Sequence, residues 1–115
     1  TTLFRSLENV YGNLVSMAEL AKVNNIKVIF CSVMPAYDFP WRPGMKPADK
    51  VIQLNKWIKE YADKNGLTYV DYHSAMKDER NGLPANLSKD GVHPTLEGYK
   101  IMEKIVLEAI HKTVK

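Results

Sequence analysis

The chain has 115 residues, a net charge of +3, and 45% hydrophobic and 25% charged residues, a composition that belongs to globular proteins rather than to low-complexity chains. This length allows one domain at most, and no apolar run is long enough to span a bilayer. The lysines alternate with glutamates instead of forming the basic stripe that nucleic acid requires.

The first residues, TTLFRS, carry no signal-peptide pattern and do not resemble a natural start. Leu7, Val10, Tyr11, Leu14, Ala18 and Ala21 then recur at helical spacing, which predicts an amphipathic helix stopped by Asn24–Asn25. KVIFCSV (27–33) follows, a short continuous apolar run of the kind that forms a strand covered on both faces. Its Cys31 is the only cysteine, so no intrachain disulfide is available and it reads as a small buried hydrophobe.

A long connection, MPAYDFPWRPGMKP, leads to a second helix that opens with Pro47. Val51, Leu54, Ile58 and Tyr61 line its inner face, and Asn65–Gly66 supplies the left-handed stop. LTYVDY (67–72) is the second strand candidate. After the segment HSAMKDERNGLPANLSKDGVHP, a third helix is expected from an N-cap at Thr95. Tyr99, Met102, Ile105, Val106, Ala109 and Ile110 are expected inward, with His111 facing solvent.

The order α-β-α-β-α implies two parallel strands joined by a right-handed crossover, hence an α/β fold. Two strands are too few to cover three amphipathic helices. The expectation is therefore the C-terminal part of a larger α/β domain, or a chain that takes its remaining strands from a second copy, as in a swapped dimer. A small two-strand domain is the alternative, with little core to stabilise it.

Both long connections begin where the chain leaves a strand, so they share the carboxyl edge at which α/β proteins bind ligands. Asp90 and His93, in SKDGVHPTLEGY, lie on that rim. An imidazole accepts and returns protons near neutral pH, and a carboxylate on Nδ1 fixes its tautomer and stabilises its charged form. Gly91 permits the turn that a three-residue offset needs, and Pro94 holds His93 extended before the helix. The same residues also read as a plain turn followed by a helix preface.

The block DGVHPTLEGY closely resembles the last conserved block of the SGNH hydrolases, the GDSL family of esterases and lipases. NIKVIFCSVMP resembles that family's fourth strand and the loop after it, and LNKWIKEYADKNGLTYVDYHSAM its next helix and strand. The resemblance implies a partial three-layer αβα, flavodoxin-like domain, with residues 1–115 as its C-terminal part. It implies Asp90 as orienting acid and His93 as general base of a Ser-His-Asp triad. It offers Tyr37, Trp41 and Arg42 as substrate-binding candidates, a small acyl ester such as an acetylated carbohydrate as substrate with lysophospholipid and aryl esters also open, and no metal or other cofactor. The family's G-D-S, Gly and G-x-N-D blocks are absent from the sequence. Ser6, Ser16, Ser32, Ser74 and Ser88 all lack the G-D-S context, and the Tyr11–Asn13 stretch YGN falls inside the first helix. On this reading the isolated chain lacks its nucleophile and depends on an N-terminal half. Two other readings stay open: a non-catalytic binding or structural piece, and a metal-dependent hydrolase using Asp71, His73, Asp90 and His93.

Overall fold

The computed structural model describes residues 6–114. Helix α1 (Leu7–Val23) is capped by Ser6, whose hydroxyl accepts the Asn9 N–H at 3.2 Å, and it stops at Asn24. Asn25, at φ 58°, takes the left-handed turn that releases the chain into strand β1 (Ile29–Cys31). Helix α2 (Ala48–Lys64) follows Pro47, and Gly66 at φ +68° turns the chain into β2 (Thr68–Val70). The two strands pair in parallel with Ile29 opposite Thr68, Phe30 opposite Tyr69 and Cys31 opposite Val70. A five-residue helix, α3 (Tyr72–Met76), and the long α4 (Leu96–Val114) complete the order.

Successive strand residues point to opposite faces, and the packing follows. Ile29 joins Val70, Met76, Leu83 and Leu87 in a cluster closed by Ile101, Met102, Ile105, Val106 and Ala109 of α4. Its neighbour Phe30 meets the Tyr61 ring of α2 at 5.9 Å. Tyr11 of α1 stands 5.7 Å from Trp57 and 6.4 Å from Tyr61, which locks α1 onto α2. Helices therefore lie on both faces of the two-stranded sheet, the partial three-layer arrangement expected from the sequence.

Three expectations need correction. Cys31 is exposed, because β1 has a hydrogen-bonded neighbour on one side only among the described residues. On α4, Tyr99 and Ile110 are 55% and 37% exposed rather than inward. Two apolar stripes share this helix, and only the one through Ile101, Met102 and Ile105 meets the strands; Leu96, Tyr99, Leu107, Ile110 and Val114 are left outside. Finally, the second strand ends at Val70, because Asp71 caps α3 by accepting the Ser74 N–H at 3.0 Å. Such local side-chain bonding competes with the strand ladder, and five residues are too few to show a helical period.

The outer stripes are extensive. Met17, Leu20, Val23 and Ile26 are exposed around the end of α1, matching the uncovered stripe of α4. With extents of 41 × 33 × 19 Å the molecule is a thin slab, so much apolar surface lies outside its core. No helix of the described residues is long and apolar enough to cross a membrane.

Candidate active site

The rim above the carboxyl ends of the strands is assembled from main chain pinned by polar side chains. Ser32 directly follows β1; its N–H reaches Val70 O at 2.8 Å and its hydroxyl accepts the His73 N–H at 3.0 Å. One residue on, the buried Asn55 of α2 accepts from Val33 N at 2.7 Å and donates to Val33 O at 3.0 Å. Both bonds fix where the first long loop departs. Within that loop Asp38 accepts N–H groups from Phe39, Gly44 and Lys46 at 2.9–3.0 Å. Those bonds, the one from Gly44 foremost, hold its carboxyl below the usual range.

The second loop uses the same device twice. Asp78 Oδ1 accepts from Arg80 N at 2.9 Å and Gly82 N at 3.0 Å. A Cβ on Gly82 would stand 2.7 Å from Tyr37 Cβ, so only glycine lets the two loops touch here. Arg80 then lies over the Tyr37 ring, with its guanidinium carbon 4.4 Å from the centroid, a cation–π contact.

Further along, Asp90 Oδ1 accepts from Val92 N at 2.9 Å and His93 N at 2.8 Å, across a Gly91 at φ +82°. The other oxygen, Oδ2, meets His93 Nδ1 at 2.7 Å. The carboxyl of Asp90 is held well below the ordinary carboxylate range, first by the His93 main-chain N–H, then by its ring and by the Val92 N–H. An ionised Asp90 accepts from Nδ1–H, which leaves Nε2 as the basic nitrogen of the neutral ring. The imidazole is 73% exposed and accessible to a reactant. The N-terminus of α4 supports this turn from below. Thr95 N donates to Leu87 O at 2.8 Å, Thr95 Oγ1 accepts the Gly98 N–H at 3.4 Å, and a Cβ on Gly98 would stand 2.9 Å from Leu87 O.

Both loops wall one cavity of about 300 Å³, in which Tyr37, Phe39, Pro40, Arg80 and Leu83 face Asp90 and Gly91. Of the three substrate-binding candidates, Tyr37 lines this cavity. Trp41 stacks on Phe39 at 4.9 Å and is 55% exposed, and Arg42 is exposed and bridges back to Phe39 through its main chain. Arg80 and Asn55 escaped the sequence reading, and Ser88 enters it only as a serine outside a G-D-S context. Asn55 had left one signal, an amide among the apolar positions of an amphipathic helix.

The metal alternative is not assembled. Asp71 is engaged as the α3 cap, and His73 is 7% exposed with Nε2 lacking a hydrogen-bond partner. Burial lowers the pKa of His73 and keeps it neutral. Among the described residues no three His, Cys, Asp or Glu side chains lie close enough to hold a metal ion.

The fold is thus a partial α/β sandwich whose carboxyl rim carries a contacting Asp90–His93 pair. Residues 2–101 match the model of the GDSL-like lipase/acylhydrolase family, and the chain belongs to that family. A solved structure of a Bacteroides fragilis protein classed as an acylhydrolase is 44% identical with a TM-score of 0.93, over 97% of this chain and 55% of that one. A GDSL-like lipase of Bacteroides thetaiotaomicron is 48% identical with a TM-score of 0.89, over 93% and 53%. An acetylxylan esterase of Xylanibacter ruminicola is 29% identical over 85 residues, 73% of this chain and 16% of the esterase. The chain thus spans about half the length of the two solved structures and a smaller part of the esterase.

Proposed function

We propose that residues 1–115 are the C-terminal part of a single SGNH hydrolase domain and contribute the acid and base of an ester-hydrolysing Ser-His-Asp triad. The observation that carries this reading is the 2.7 Å contact of Asp90 Oδ2 with His93 Nδ1, which leaves Nε2 open at the rim. The G-D-S serine and the oxyanion donors come from the N-terminal part of the domain.

In the reaction His93 Nε2 takes the serine proton as the hydroxyl attacks the ester carbonyl. Asp90 stabilises the imidazolium, and the oxyanion donors hold the tetrahedral intermediate. The imidazolium returns its proton to the departing alcohol, leaving an acyl-serine. Water then attacks the acyl-serine, giving a proton to His93, which returns it to the serine oxygen as the acid leaves. No metal or other cofactor enters these steps.

A small acyl ester fits this scheme. The similarity to an acetylxylan esterase and the aromatic wall of Tyr37 and Phe39 beside Asp90 favour an acetylated carbohydrate. Trp41 and Arg42 stand on the same loop and would meet the more distant part of such a substrate.

The test compares p-nitrophenyl acetate hydrolysis by the isolated chain with that by the complete domain. The isolated chain should match an unfolded-protein control, and the complete domain should turn over acetyl esters until His93→Ala abolishes activity while leaving folding nearly unchanged. Full activity in His93→Ala would remove His93 from the mechanism.

A further inference from the structure

The Asp90–His93 contact is short although both side chains are open to water, at 39% and 73% exposure. Exposed pairs of this kind contribute little by themselves, because solvent screens them and side-chain entropy opposes a fixed geometry. Burial of the pair is therefore not what holds it together, and the cause lies in the turn beneath.

At that place sits Ser88, 2% exposed. Its hydroxyl oxygen accepts the Gly91 N–H at 2.9 Å, and its single proton lies between His93 O at 2.8 Å and Asp90 Oδ1 at 3.2 Å. One hydroxyl thus contacts three of the four residues of the turn, including both members of the pair. Ser88 is itself anchored, since its N–H donates to Pro84 O at 3.0 Å. Its neighbour Leu87 belongs to the core cluster that α4 closes. A continuous path therefore runs from the packed core, through one hydroxyl, to an imidazole in solvent.

We propose that Ser88 is a positioning residue, whose buried hydroxyl keeps the Asp90 carboxylate and the His93 ring in register. This rests on the reading that the pair transfers protons. Ser88 is not an attacking group, because its oxygen is buried and engaged by the main chain of the turn. Without that hydroxyl the Gly91 N–H and the His93 carbonyl both lose their partner within the turn, and with it two of the bonds that fix its shape. The turn then relaxes, Oδ2 separates from Nδ1, and the ring is free to adopt its other tautomer.

The experiment needs no turnover, so its outcome is separate from whether the complete domain is an esterase. The complete domain labelled with 15N and 13C is compared with its Ser88→Ala, Ser88→Cys and Ser88→Thr variants. Two signals are followed, the titration of the Asp90 carboxyl carbon and the tautomer of the neutral His93 ring. The alanine and cysteine variants should titrate Asp90 at higher pH than the parent and lose about half or more of the Nδ1–H form, as removal of one hydrogen bond implies. Threonine, which keeps the hydroxyl, should restore both signals. Parental values of both signals in folded Ser88→Ala overturn the proposal. Should the alanine variant not fold, the near-isosteric cysteine variant decides by the same criterion.

Discussion

Two loops meet at the rim, and an aspartate organises each of them, yet only one keeps an oxygen for a neighbouring side chain. Asp38 commits both oxygens to main-chain N–H groups, from Phe39 and Lys46 on Oδ1 and from Gly44 on Oδ2. Asp90 folds its turn with Oδ1 alone, which accepts from Val92 and His93, and keeps Oδ2 for the imidazole. An aspartate before a glycine-bearing turn is thus a common structural device. On the proposed reading, what separates the structural use from the chemical one is an oxygen left over once the backbone is satisfied.

That contrast can be broken by the same substitution at both positions. In the complete domain Asp90→Asn should lower kcat about 10³–10⁴-fold with little change in melting temperature, because an amide cannot hold the ring in its working tautomer. Asp38→Asn should do the reverse, lowering the melting temperature through the loosened loop while kcat stays within about tenfold. Comparable kinetic losses in both variants would show that the two aspartates play one role.

A smaller effect is expected where the turn rests on α4. In Gly98→Ala the new Cβ would meet Leu87 O at 2.9 Å and Pro94 Cβ at 3.0 Å, forcing the turn and the helix apart. The expected cost is about 1–3 kcal/mol, the range for overpacking a close contact, read by urea unfolding. An unchanged midpoint would mean that this end of α4 yields freely.

The smallest effect concerns His73, buried under the rim with a lowered pKa. Its folded value lies below the unfolded one of about 6.5, so the unfolded chain binds the proton more readily. The resulting stability is present above about pH 6.5 and is lost as pH falls towards the folded value. His73→Phe should flatten stability against pH between about pH 7 and 5, and a slope equal to the parent's would assign it to other groups.

Much of this architecture is legible in the sequence. The faces of α1 and α2, their Asn24 and Gly66 stops and the parallel strand order follow from periodicity and turn chemistry. The resemblance carried by DGVHPTLEGY agrees with the family match. Two of the three corrections share one physical origin, since period reports that a face is apolar but not what covers it. Their apolar character puts Tyr99, Ile110 and Cys31 inside, yet two strands cannot cover every apolar face. The early end of β2 comes instead from the local cap that Asp71 makes on α3. Arg80 and Ser88 were illegible for another reason. Their surroundings arise from tertiary contact between two loops and the core, and an arginine or a serine in a polar loop carries no mark of that contact.

The most direct measurement is labelling by a fluorophosphonate, which reacts with an activated serine. The complete domain should take label rapidly at the G-D-S serine of its N-terminal part, its His93→Ala variant should not, and chain 1–115 alone should take none. Rapid labelling of a serine within residues 1–115, or undiminished labelling without the imidazole, would contradict the assignment of Asp90 and His93 as the acid and base of a shared active site.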